Sequence, residues 1–237
     1  MRASTRAPMT TGSAASAGGI ESAMAGYYAR RAEEYELIFH KPERQNDLRA
    51  LRTFVVEAFA GRHVLEVACG TGYWTQVLAR SAASVTAIDV NDEVLEIARA
   101  KPRVQENVEF RREDAYALPA FPRPFSGGLA GFWWSHIPKA RLRAFLTGLH
   151  GAFAPGATMV FIDNAYVQGS STPVSRRGVD GNTYQRRTLS DGSTHEVLKN
   201  FPTEAELRQA LQGLADNVRV GFLPYFWVLT YVPKVSA

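Results

Sequence analysis

Three acidic residues stand at intervals that suit a nucleotide-like ligand. Glu66 closes an apolar run in "VLEVACGTG", Asp89 closes "SVTAID", and Asp114 follows "NVEFRRE". Gly70 and Gly72 lie between the first two, and a helical pattern starts just behind them. Glycines let a backbone approach a ligand closely, and a carboxylate some twenty residues further on can accept the hydroxyls of a ribose. A dinucleotide does not fit the loop well. Thr75 stands where a third glycine belongs, Tyr73 and Trp74 crowd the helix entrance, and Glu66 would repel a pyrophosphate. The pattern asks instead for a ligand that carries a cation beside its ribose.

The surrounding elements can be read from periodicity. "HVLEVA", "SVTAID", "NVEFRRED", "FSGGLAGFWW" and "TMVFID" read as strands, the fourth weakened by its glycines. They alternate with "DLRALRTFVVEAFAG", "YWTQVLARS", "NDEVLEIARA" (capped by Asn91) and "KARLRAFLTGLHGAFAPG", a helix running to Pro155 and Gly156. That order predicts βαβ units: an α/β, doubly wound, mostly parallel seven-stranded sheet with helices on both faces. Ligands of such sheets lie at the carboxyl ends of the strands, where all three acids stand. Residues 165–200 break the rhythm. There "TYQRRTLSDGSTHEVLKNF" reads as a β-hairpin turning at Asp191-Gly192, an insertion after strand five. A capping box at Thr203 and Glu206 opens another helix, and "NVRVGF" and "YFWVLTYV" finish the sheet as an antiparallel pair. Residues 1–20, small and polar, read as a disordered tail, and 21–237 as one domain whose first helix, "SAMAGYYARRAEEYELIFH", ends before Pro42.

Composition narrows the setting. The net charge of +4 comes from scattered residues with no long basic run, so a nucleic-acid partner is not expected. Cys69 is the sole cysteine, which excludes an intrachain disulfide and favours a cytoplasmic location. No apolar stretch approaches a membrane span. The protein is read as a monomer or homodimer.

The stretch "EVACGTG" resembles the motif of class I S-adenosylmethionine-dependent methyltransferases, with Ala68 where that family carries its first glycine. Asp89, "FRREDAYALP", "GLAGFWWSHIP" and "FAPGATMVFID" match four further family positions in order, and the resemblance covers residues 25–163. It implies a Rossmann-like fold with an N-terminal helical lid, and S-adenosylmethionine as cofactor. The methionine end would lie against Glu66, Ala68, Cys69, Gly70, Thr71, Gly72 and Trp74. Asp89 would take the ribose, while Val90, Asn91, Asp114, Ala115 and Phe132 would surround the adenine side.

A narrower resemblance runs through "YYARRAEEYE", "GTGYWT", "WWSHIP" and "RRTLSDGSTHEVLKNFPTEAEL" to small natural-product methyltransferases, a group that includes the dehydrophos phosphonate O-methyltransferase. It implies a small-molecule acceptor. His136 is the candidate catalytic residue, as a base or as a donor that orients the acceptor. Tyr28, Trp133, His136, Arg187 and Lys199 are the implied acceptor-binding residues, the two cations gripping a phosphonate, phosphate or carboxylate. No metal is expected: Asp163-Asn164 offers two hard-ligand positions, but "GFWWSH" supplies no aspartate to join them. Two alternatives stand beside this reading, a methyltransferase acting on RNA or protein and a non-catalytic S-adenosylmethionine-binding protein.

Overall fold

A computed structural model describes residues 26–27, 31, 36, 38–101 and 106–235. The tail 1–20 and Tyr28 lie outside the described residues, as does most of the first helix. Among those described, seven strands form one sheet in the order β3-β2-β1-β4-β5-β10-β9. The strands are β1 (His63–Val67), β2 (Ser84–Asp89), β3 (Val108–Arg112), β4 (Phe125–Gly131), β5 (Phe153–Asn164), β9 (Ala215–Phe222) and β10 (Phe226–Pro233). β1 to β5 run parallel, and β10 is antiparallel to both β5 and β9. The chain steps outward from β1 to β3 and then returns to β4 on the other side of β1. That reversal opens a crevice at the carboxyl ends of β1 and β4, the general ligand site of such sheets.

Helices cover both faces. α1 (Gln45–Ala58) buries Leu48, Leu51 and Val55, spaced along one stripe. α2 (Tyr73–Leu78), α3 (Asp92–Ala100) and α4 (Lys139–His150) are the crossovers. Leu65, Val67, Ile88 and Phe161 pack with α4 on one face, and Val64, Val85, Leu129 and Val160 pack with α1 and α2 on the other. Each fully buried side chain of this size contributes about 2 kcal/mol.

The glycines of β4 mark close packing. A Cβ at Gly127 would come within 2.8 Å of the Phe59 ring, and one at Gly128 within 2.4 Å of Phe153. Aromatic rings therefore lie directly on the strand from both sides.

Three details differ from the sequence reading. α4 stops at Gly151, and Pro155-Gly156 lies inside β5, in an irregularity that shifts the pairing from Phe125–Phe153 to Gly127–Thr158. Asn91 occupies the N-cap of α3, but its side chain makes no capping bond. The insertion is a three-stranded antiparallel sheet: β6 (Val174–Arg177), β7 (Thr183–Thr188) and β8 (Thr194–Leu198), in that order. β7 and β8 form the expected hairpin around Gly192, at φ 81°. The capping box of α5 (Glu204–Ala210) is complete. Tyr27 packs on the small sheet with Tyr184, Leu189, Val197 and Leu198.

Candidate active site

Glu66 lies on β1 and is 1% exposed. Its Oε2 accepts a hydrogen bond from Thr75 Oγ1 at 2.6 Å. Burial pushes its carboxyl up to about 8, the Thr75 bond works against that, and the charge of Asp89 adds to it. After β1 the chain turns sharply: Ala68, Gly70 and Gly72 all have positive φ, at 54°, 55° and 79°. Gly72 opens α2, and a Cβ there would meet Ala98 of α3 at 3.1 Å. Cys69 is buried, with its thiol pushed well up by burial. Thr71 donates to Glu36 at 2.7 Å, and Glu36 also pairs with Lys101. The described part of the N-terminal segment thus reaches the loop directly.

Asp89 ends β2. Its two oxygens accept from the Gly70 N–H at 2.9 Å and the Asn91 N–H at 3.0 Å. Burial raises this carboxyl against those backbone bonds. Asp114 follows β3 and is exposed; its Oδ1 accepts from the Tyr116 N–H at 2.8 Å. Beside these acids Val90 is 43% exposed. Three acids therefore stand at the ends of neighbouring strands, one of them buried. The indole N–H of Trp74, pressed against Gly131, has no partner. One buried carboxyl and two strand-end acids fit an ammonium and ribose hydroxyls better than they fit a pyrophosphate.

A cavity of about 330 Å³ opens between the insertion, the ends of β4 and β5, and the N-terminal segment. Phe132, Arg187, Lys199 and His136 all line it. Phe132 holds φ 59°, an uncommon conformation for an aromatic residue and one that marks a constrained site. His136 closes a short 3-10 turn at Trp134–His136 and is buried. Its Nδ1–H donates to the Leu198 carbonyl at 2.6 Å, a bond that assigns the proton to Nδ1 and leaves Nε2 as the acceptor nitrogen. Burial, reinforced by the charge of Lys199, holds the ring well below its ordinary value, so it is neutral.

Lys199 is 3% exposed and lies one residue past β8. Its Nζ donates to Asp163 Oδ1 at 2.8 Å and to Ser135 Oγ at 2.6 Å. Asp163 Oδ2 accepts the Ser135 N–H at 2.9 Å. Burial alone would raise Asp163, but the charge of Lys199 and the hydrogen bonds from Lys199 and Ser135 outweigh it and hold the carboxyl low. Burial also pulls Lys199 down against the attraction of Asp163. Arg187 Nη2 donates to Gln185 Oε1 at 2.8 Å.

Several expectations need correction. Lys199 reaches the cavity, but its charge is matched by Asp163, so it does not act as a bare cation. Trp133 is not a wall of the cavity: the turn at Phe132 sends its ring the other way, edge-on to Tyr116 and Phe145 at 5.9 and 6.5 Å. Tyr27 lines the site, and the expectation for Tyr28 falls outside the described residues. Trp74 is core, stacked over Gly131 beneath the loop. Sequence reasoning missed Thr75, Glu36, Ser135, Lys41 and Arg44. Each acts across a long sequence separation, apart from Thr75, whose role on α2 follows only once α2 is laid beside Glu66.

The methyltransferase domain family matches residues 64–156 of this chain. A demethylmenaquinone methyltransferase of Staphylococcus aureus (strain MRSA252) is 31% identical over 175 residues, covering 68% of this chain and 70% of that protein. Among solved structures, the chain is similar to a DhpI-SAM-HEP complex, with a TM-score of 0.75 and 30% identity over 92% of this chain and 100% of that one. A DhpI-SAH complex matches with a TM-score of 0.73, also at 30% identity, over 92% and 98%.

Proposed function

This chain belongs to the S-adenosylmethionine-dependent methyltransferases, and from that premise we propose that it methylates a small anionic acceptor held in the basic cavity beside Phe132. When bound, the cofactor supplies an electrophilic methyl group on a sulfonium, already a strong leaving group. Glu66, ionised once an ammonium approaches it, holds the amino-acid end. Asp89 accepts from the ribose hydroxyls, and Asp114 with the backbone of Ala115 flanks the adenine side.

The observation that carries the reading is the charge of the cavity. Arg31, Lys41, Arg44, Arg186 and Arg187 line it beside Lys199, whose charge Asp163 matches, and no carboxylate lines it among the described residues. Such a lining favours a phosphonate, phosphate or carboxylate and opposes a flat neutral ring. The curated relative is named for demethylmenaquinone; the lining here argues for a different, charged acceptor. An oxyanion needs no deprotonation before attack, so the chain's main task is alignment. Neutral His136 offers Nε2 as an acceptor to a hydroxyl elsewhere on the acceptor and so orients the molecule, while the attacking oxyanion itself needs no base. Arg187, half-buried and fixed by Gln185, grips the acid group.

The test is a mass-spectrometric screen of small phosphonates, phosphates and carboxylates against neutral alcohols and catechols. We expect methylation within the anionic set. Arg187→Ala should raise the acceptor KM at least tenfold and leave the affinity for S-adenosylhomocysteine unchanged. Methylation of neutral acceptors alone, or an unchanged KM, would defeat the proposal.

A further inference from the structure

Arg44 stands apart from the other cations of the cavity. It ends the 3-10 turn Pro42–Arg44 ahead of α1 and is 7% exposed. Its Nη1 donates to Asn164 Oδ1 at 3.0 Å and its Nη2 to Ser170 Oγ at 3.2 Å. Both partners are neutral. Its Nε–H is buried with no acceptor. The guanidinium lies 5.6 Å from the ring centre of Tyr225 and 5.8 Å from that of Phe226.

Glu43 and Asp47 attract the guanidinium through space, but neither hydrogen-bonds it directly. Asp47 Oδ2 accepts the Tyr225 N–H at 2.8 Å. Glu43 is exposed and is reached only through the Ser170 hydroxyl, which donates to it at 3.1 Å. No ion pair among the described residues includes Arg44. Lys199, by contrast, has Asp163. A buried charge is normally paired, because removing it from water is costly. Here the protein holds a guanidinium at the cavity on neutral hydrogen-bond partners, with no direct ion pair among the described residues and only the through-space attraction of Glu43 and Asp47.

We propose that Arg44 is a second anion-binding residue of the cavity, and that the acceptor carries two acidic groups, one held by Arg187 and the other by Arg44. This rests on the reading of the cavity as an acceptor site for anions. The two residues reach the lining from different elements. Arg187 comes from β7 of the insertion, and Arg44 from the approach to α1, where Asn164 at the end of β5 and Ser170 in the following loop hold it. Lys41, whose Nζ donates to the Ser170 carbonyl at 3.1 Å, adds charge to the same wall. A compact molecule with an acidic group at each end, such as a phosphonate bearing a carboxylate, would neutralise both.

The experiment measures calorimetric binding of two probes to the protein saturated with S-adenosylhomocysteine. Methylphosphonate carries one acidic group and phosphonoacetate two. The wild type should bind phosphonoacetate at least tenfold more tightly, the gain of one charge-assisted contact. Arg44→Gln should abolish that preference and leave methylphosphonate and S-adenosylhomocysteine binding within twofold. Arg44→Lys should restore part of the preference. Equal binding of both probes by the wild type overturns the proposal, as does a preference that survives in Arg44→Gln. If Arg187→Ala abolishes methylphosphonate binding while Arg44→Gln changes nothing, the anionic-acceptor reading stands and the second site falls. If the wild type binds neither probe, both fall.

Discussion

Replacing Glu66 with glutamine tests whether one buried carboxyl couples cofactor binding to stability. Its pKa of about 8, against a reference of 4.5, means that folding at pH 7 must protonate a group that is ionised in the unfolded chain. The cost at that pH is about 3 kcal/mol, at 1.36 kcal/mol per unit. A folded pKa above the unfolded one means that stability is fully present below pH 4.5 and is lost progressively up to pH 8. Glutamine keeps the acceptor for Thr75 Oγ1 but has no charge to lose, although its amide buries an extra N–H. Glu66→Gln should therefore be more stable than wild type by about 2 kcal/mol at pH 7, which is on the order of 5 °C in midpoint for a chain of this size. The difference should grow toward pH 8 and reverse near pH 4.5, where the extra buried N–H leaves the variant about 1 kcal/mol less stable. The same variant should bind S-adenosylhomocysteine at least tenfold more weakly, having lost the partner of the ammonium. Wild-type binding at pH 7 should release close to one proton, read from the dependence of the calorimetric enthalpy on the buffer's ionisation enthalpy, and the variant should release none. A stability gap that does not change with pH, or proton release that persists in the variant, refutes the reasoning.

Two further measurements probe the scaffold. His150, buried against Tyr231 at 3.0 Å with its Nδ1 unpartnered, is pulled by burial from 6.5 to about 4. Because its folded value is depressed, it costs nothing above pH 6.5, and the wild type should lose about 3 kcal/mol relative to His150→Gln between pH 6.5 and 4 in urea titrations; parallel curves would show the ring to be solvated. Ala68, at φ 54°, should become Gly with a gain of about 1 kcal/mol in chemical denaturation, since relief of left-handed strain exceeds the added freedom of the unfolded chain. A loss of stability would mean that the alanine methyl group is itself needed for packing.

The cofactor half was legible in the sequence because its signals are local. Glu66 on β1 leads straight into the loop of Gly70 and Gly72, Asp89 ends β2, and Asp114 follows just after β3, each beside an apolar run that can be read directly. The parallel order of β1 to β5 follows from the alternation of elements, and the hairpin from Asp191-Gly192. Boundaries were less legible. Pro155-Gly156 looks like a helix stop, yet β5 absorbs it as an irregularity because Phe153 already pairs with Phe125 across the sheet.

The acceptor half is different in kind. Sequence named His136, Arg187 and Lys199 as site residues, and all three line the cavity, but sequence carried no information on which cation is already neutralised. Asp163 and Lys199 meet across 36 residues, and Arg44 and Asn164 across 120. Whether a charge is paired depends on atoms a few ångströms away, and such neighbours leave no trace in the order of residues. Residue order by itself therefore determined the sheet, the glycine loop and the chemistry of the cofactor. Tertiary structure alone decided that Lys199 is matched, that Trp133 turns away and that Arg44 has no direct ion pair among the described residues, because only folding sets those distances and removes the water that would otherwise screen them.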